Sequence, residues 1–256
     1  EDEVDELTES VVVEESHSRK VLRRIDEPKE TEETTAQTDV TTVEVTTADN
    51  NDVYLRGAFS ELGIADNGTM GTTSVMPDNF AANTHTPRSS VSFYANASGI
   101  DDGTPIAGDI FLPGGPVESM SLGFTDGTGF FRDANQNDGD ENSLNMAFGS
   151  ITTTATSASV VNTGGIAGRM GIIQVVTLGA DDTFYTTAVT LTNISGGAMT
   201  GVRYMRNNDP DPETDIGSGP NTINDVLLNP NFSGIAVVNA QGDNFGQNVL
   251  MLADQT

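Results

Sequence analysis

The sequence predicts an all-β protein: an antiparallel β-sandwich or jelly roll preceded by an extended acidic arm. Three observations carry that expectation. Apolar residues after residue 50 fall in short clusters separated by Gly, Asn, Asp and Pro, and no useful length of chain has the apolar spacing of a helix. Residues 184–192 alternate with a period of two, placing Phe184, Thr186, Ala188 and Thr190 on one face and Tyr185, Thr187, Val189 and Leu191 on the other. The second face is the more apolar, as a strand with one side on a core requires.

The arm comes first. Residues 1–50 hold sixteen acidic and five basic residues and no Phe, Tyr or Trp, a composition that cannot bury enough apolar surface to fold alone. Within it, residues 38–47 are rich in Thr and Val, which favours an extended strand with Val43 and Val45 on one face and Val40 on the other. Such a strand can pair with the edge of its own domain or of a neighbour, so Val40, Val43 and Val45 are the candidate assembly residues.

Residues 51–256 form the expected β-sandwich domain, with strands anticipated over 53–59, 90–94, 117–124, 145–154, 170–177, 184–192, 202–205, 235–238 and 248–252. Gly179-Ala-Asp-Asp182 reads as a hairpin turn between two of these strands, and Ser195-Gly-Gly197 as a second. No repeat of fixed period is present, which argues against a solenoid or propeller.

Charge narrows the class of partner. The 256-residue chain has a formal net charge of -27, which repels phosphate backbones and anionic headgroups and favours cations. Nucleic acid is therefore not an expected partner. Lysine occurs only at Lys20 and Lys29, so the later surface is rich in carboxylates and poor in ammonium groups. There is no Cys for disulfides or thiolate metal sites and no run of about 18 apolar residues that would insert in a membrane. A chain beginning at Glu1 fits a processed mature protein or a trimmed one, and an extracellular or cell-surface location is the expectation.

The sharpest local signal is Asp133-Ala-Asn-Gln-Asn-Asp-Gly-Asp-Glu-Asn142. Alternating oxygen donors in a tight loop can point at one hard cation, so Asp133, Asn135, Asn137, Asp138 and Asp140 are candidate calcium ligands. The spacing differs from an EF-hand, with Gly one place late and no closing Glu. A second acidic turn, residues 207–215, is stiffened by two prolines and brings Asp209, Asp211 and Asp215 together, where their repulsion favours a bound cation. Each of these turns is equally readable as a solvated acidic loop.

Leu191-Thr-Asn193, Val202-Arg-Tyr204 and Asp209-Pro-Asp211 form a strand, strand and acidic-turn unit that resembles a β-sandwich unit of large secreted bacterial calcium-binding exoproteins and adhesins. Gly103-Thr-Pro105 and Pro116-Val-Glu-Ser-Met120 are similar to the segment preceding that unit. The resemblance spans roughly residues 100–252 and implies a surface location and calcium. The Gly-Gly-x-Gly-x-Asp repeats of hemolysin-type calcium proteins are missing.

Catalytic constellations are poor. The two histidines, His17 and His85, lie in the arm and in a Thr/Pro-rich stretch, Ser119 is not in a Gly-x-Ser-x-Gly elbow, and no Gly-rich phosphate loop precedes a helix. Trp is absent and Tyr is limited to four positions, so a lectin would rely on calcium and hydroxyl contacts more than on ring stacking. Asn67, Asn96, Asn193 and Asn231 each begin an Asn-x-Ser/Thr triplet, a pattern that arises by chance in such chains. These features point away from an enzyme. They point to a calcium-stabilised structural subunit of an extracellular filament, sheath or surface layer, forming homo-oligomers or polymers, with strand exchange by the arm as the link. The alternative is a calcium-dependent adhesin or carbohydrate-binding module with a glycan as partner.

Overall fold

The computed structural model describes residues 42–80, 91–97, 99–100, 118–136, 142–208, 210, 222–228, 236–242 and 248–253, all within the compact unit Gln37–Thr256. The regular structure described is entirely β: β1 Glu44–Thr47, β2 Val53–Arg56, β3 Ser60–Ile64, β4 Phe93–Ala95, β5 Glu118–Asp126, β6 Gly129–Gln136, β7 Ala147–Thr153, β8 Ser157–Ile166, β9 Met170–Gly179, β10 Tyr185–Asn193, β11 Thr200–Asn208, β12 Thr222–Leu228, β13 Ala236–Gly242 and β14 Asn248–Ala253. They make four antiparallel sheets, ordered β1-β2-β3-β4, β10-β9-β8-β7, β11-β5-β6 and β12-β13-β14. Sheets packed face to face give the sandwich that the alternation predicts.

The β7–β10 sheet is the long one, and its inner face serves two cores. Ala158 and Val160 on β8 join Val176 and Leu178 on β9 in packing against Val53, Leu55, Leu62 and Ile64 of the β1–β4 sheet. Further along the same face, Met170 and Ile172 pack against Met120, Leu122 and Phe124 of β5 and against Leu144 and Met146. Each fully buried side chain of this size contributes about 1.5–3 kcal/mol relative to leaving it exposed. Strand β10 is oriented as its alternation predicts, with Tyr185, Thr187, Val189 and Leu191 partly buried and the intervening residues exposed.

Strands β2 and β3 are buried on both faces. Their second face carries a small core of Tyr54, Met76, Phe80, Val91, Tyr94 and Ile100, in which the Tyr54 and Phe80 rings meet edge to face at 5.7 Å and the Tyr54 hydroxyl donates to Ser74 O at 2.6 Å. Gly63 makes the close approach there: its N–H donates to Ser92 O at 2.9 Å, and a Cβ at that position would lie 2.0 Å from Val91 O.

Of the two pairings open to the candidate assembly strand, the one within its own chain is present: β1 lies antiparallel to β2 with Val45 opposite Leu55, and Val43 is buried in the first core with Val45 packed against it. Val40 lies outside the described residues. Two sequence expectations change. The segment around Asp133 continues β6 as far as Gln136, so Asp133 and Asn135 belong to a sheet and not to a loop. Phe131 stacks on Phe124 at 5.6 Å and draws this stretch onto the core despite its polar composition. Finally, Ser195-Gly-Gly197 does not close a hairpin, because β10 and β11 lie in different sheets. Asn193 Oδ1 accepts from the Ser195 N–H at 3.0 Å and hydroxyl at 2.7 Å, and Gly196 (φ 73°) and Gly201 (φ 58°) supply the left-handed conformations that turn the chain from one layer into the other. The Gly179–Asp182 turn does join the antiparallel pair β9 and β10.

Candidate functional site

Between the two apolar cores of the long sheet lies a belt of buried polar side chains, and it converges on one turn. Residues 65–69 follow β3 and are closed by Ala65 N–H to Thr69 O and Gly68 N–H to Ala65 O, both 2.9 Å, with Gly68 at φ 82°. Three successive carbonyls of this turn are each held by a carboxamide from a different strand. Asn162 Nδ2 on β8 donates to Asp66 O at 3.0 Å, Asn135 Nδ2 on β6 to Asn67 O at 3.1 Å, and Gln174 Nε2 on β9 to Gly68 O at 2.6 Å. A buried carbonyl without a partner costs about 1–3 kcal/mol, so these amides let an irregular turn sit inside the sandwich.

A buried ion pair completes the belt. Glu118, at the start of β5, takes the Met70 N–H and two nitrogens of Arg206 on β11, the Nε at 2.5 Å. Arg206 Nη1 donates onward to Gln174 Oε1 at 2.6 Å, so charge and amide networks are continuous. Burial pushes the Glu118 carboxyl above the usual range, opposed by the Arg206 guanidinium and the Met70 N–H. For Arg206, burial works to lower the pKa and the Glu118 charge overrides it, leaving a guanidinium held firmly protonated. Asn162 Oδ1 and Thr187 Oγ1 are buried in this region without a hydrogen bond.

A second carboxylate organises the neighbouring loop. Asp52 accepts the N–H groups of Asp66, Thr73 and Ser74 at 3.3, 2.8 and 2.9 Å and the Ser74 hydroxyl at 2.7 Å. Burial alone would raise its pKa, but the hydrogen bonds outweigh burial and leave it below the ordinary value. Asp66 moves upward, through burial and then the Asp52 charge.

The proposed calcium ligands are not brought together as a site among the described residues. Asn135 is fully buried and spends both ends of its amide, Nδ2 on Asn67 O and Oδ1 on the Leu144 N–H at 3.0 Å. Asp133 lies two residues earlier on β6, part-exposed, opposite Leu122. Asn137, Asp138 and Asp140, and Asp209, Asp211 and Asp215, lie outside the described residues, within which no group of three or more His, Cys, Asp or Glu side chains is placed to hold a metal. Asn67, first in a glycosylation triplet, is 6% exposed and donates through Nδ2 to Gln136 O at 2.8 Å, which leaves no room for a glycan.

A shallow cleft of about 460 Å³ opens at one end of the sandwich, where the β5–β6, β8–β9 and β10–β11 turns meet around Asp126, Thr128, Arg169 and Ser195. Arg169 pairs with Asp126 and lies over the Phe131 ring, 3.6 Å from its centroid. Hydrogen bonds from the Thr128 N–H and hydroxyl, followed by the Arg169 charge, hold Asp126 below its ordinary pKa. Its carboxylate is therefore paired and anionic.

The free edge of the long sheet offers a different kind of site. Strand β10 runs nine residues in unbroken register with β9 and contains neither Pro nor a charged side chain. Alternate residues turn their N–H and C=O outward, and along Thr186–Thr192 no further hydrogen bond occupies them among the described residues. None of the strands β7 to β10 contains a charged residue. No protein-family model, curated protein or solved structure matches this chain.

Proposed function

We propose that this protein is a structural subunit of an extracellular surface assembly, a filament, sheath or surface layer, whose copies join by adding backbone to open sheet edges. The single observation that carries the reading is β10. A long, uncharged edge is a template for another strand unless guarded by charge, Pro or a bulge, and β10 has none of these. In a chain with a net charge of -27, the uncharged long sheet is also where a second copy meets least repulsion. Buried amides and the Glu118–Arg206 pair hold the body rigid, as a repeating unit requires.

Strand exchange at the N-terminus takes a definite form under this reading. Since Val43 and Val45 already pack in their own chain, β1 would be swapped like for like, the neighbour's β1 replacing it on β2 with the same contacts. Calcium belongs to the proposal as a stabiliser of the two acidic stretches, through Asp133 on β6 with Asn137, Asp138 and Asp140, and through Asp209, Asp211 and Asp215, without Asn135. A native-only ion raises the melting temperature by mass action, so chelation lowers it if the ion is bound and leaves it unchanged if it is not.

The test is negative-stain imaging and sedimentation of the full chain beside a Thr186→Lys/Thr190→Lys variant, which charges the exposed side of β10. Assembly by the first and not the second supports the reading; a chain that stays monomeric at high concentration sinks it. The cleft around Asp126 and Arg169 favours a second reading, a glycan-binding adhesin module, for which glycan-array binding without self-association is the expected result.

A further inference from the structure

Among the described residues the arginines divide into two groups. Arg56 pairs with Glu44 and Glu61, Arg169 with Asp126 and Arg206 with Glu118. Arg132 and Arg203 make no ion pair, and they occupy one row of the outer face of the β11-β5-β6 sheet. Arg203 is opposite Gly123 on β5, and Gly123 is opposite Arg132 on β6. Their Cα atoms are thus about 10 Å apart, two interstrand spacings, with no side chain on the residue between them.

Apolar groups frame this row. Phe130 is 69% exposed and Met205 is 56% exposed, and the Phe130 ring reaches over Gly123, 3.6 Å from where a Cβ would stand. Met205 shares the next row with two small residues, Ser121 and Ala134. Two unpaired guanidiniums beside an exposed ring and a thioether are unusual company on a protein of net charge -27. Such a surface selects an anionic ligand with some apolar character.

We infer that this face docks the acidic N-terminal segment of a second copy of the same chain. Charge complementarity chooses the occupant: residues 1–9, Glu-Asp-Glu-Val-Asp-Glu-Leu-Thr-Glu, hold six carboxylates with Val4 and Leu7 between them, matching two arginines flanked by Phe130 and Met205. The inference rests on the reading that copies associate, and it names a contact distinct from the β10 edge. The contact is sensitive to salt, because the Debye length falls from about 10 Å at 0.1 M to about 3 Å at 1 M.

Sedimentation velocity on the full chain separates the outcomes. The wild type should associate at low salt and weaken at 1 M. Arg132→Glu/Arg203→Glu and, separately, Glu3→Lys/Asp5→Lys/Glu6→Lys should each associate about tenfold or more weakly with unchanged melting temperatures, and mixing the two variants should restore association, because each supplies the surface the other lacks. Arg132→Gln/Arg203→Gln, which removes charge without reversing it, should weaken association in the same direction. If the arginine variants associate as the wild type does while Thr186→Lys/Thr190→Lys does not, the inference is overturned and the assembly reading stands. Failure of the mixture to associate also overturns it, and a wild type that never associates removes both.

Discussion

Asn162 on β8 and Gln174 on β9 are direct cross-strand partners, and their carboxamides hold the same turn, one by Asp66 O and the other by Gly68 O. They sit where the apolar face of the long sheet changes from one core to the next. This pair turns a continuous hydrophobic surface into two cores with a polar seam, and the seam anchors the 65–69 turn between them.

Replacing Gln174 tests the seam. Gln174→Leu keeps the volume but removes the acceptor for Arg206 Nη1 and the donor to Gly68 O. Each orphaned group costs about 1–3 kcal/mol, so the denaturant midpoint should fall clearly despite the added apolar atoms. A midpoint equal to wild type would show that these hydrogen bonds contribute nothing net.

The Glu118–Arg206 pair should be strongly non-additive. Glu118→Ala leaves a buried guanidinium without its counter-ion, a loss of about 3–5 kcal/mol, whereas an apolar replacement of both partners is often close to neutral. A double-mutant cycle with Glu118→Leu and Arg206→Met should therefore give a double variant more stable than the sum of its singles predicts. The Met70 N–H loses its acceptor in either case, so recovery should stop short of wild type.

Acid sensitivity should track Asp52. Its folded pKa is below the unfolded value near 3.8, so its stabilisation is present above that value and is lost as pH falls through it toward the folded pKa. Asp66 is shifted the other way, and its contribution is fully present below 3.8 and declines as pH rises. Asp52→Asn removes the first effect and relieves part of the second. Thermal unfolding between pH 6 and pH 3 should show a variant weaker at neutral pH with a flatter acid limb; an unchanged acid limb would exclude Asp52 as its source.

A pair of glycines gives a steric test. Gly63→Ala places a Cβ 2.0 Å from Val91 O, an atom of the backbone, while Gly127→Ala meets nothing within 4 Å. Overpacking typically costs about 1–3 kcal/mol, and more where backbone must move. Urea unfolding should show the first variant severely destabilised and the second within about 0.5 kcal/mol of wild type.

The strands easiest to find from the sequence were those whose own residues alternate or cluster. Strand β10 is oriented as its pattern requires, and β5 and β9 carry the apolar runs expected of them. Strand β8 escaped because Ser157-Ala-Ser-Val-Val-Asn-Thr-Gly-Gly-Ile166 contains few apolar residues, and it is a strand because β7 and β9 pair with it on both sides. Strand β6 escaped for the opposite reason, since a run of Asp and Asn looks like an ion-binding loop until Phe131 is seen stacked on Phe124.

The seam shows the same division. Asn162 and Gln174 are unremarkable in the sequence, Asn67 advertises itself only as a glycosylation triplet, and Asn135 reads there as a calcium ligand. Their shared role depends on residues as far apart as 68 and 174 meeting across sheets. Local alternation and punctuation determine that a segment will be extended and which side it hides, because those properties belong to neighbours along the chain. Which amide meets which carbonyl, and which arginines keep their charge unpaired, is decided only by packing the sheets together, because burial and long-range pairing are properties of the folded whole.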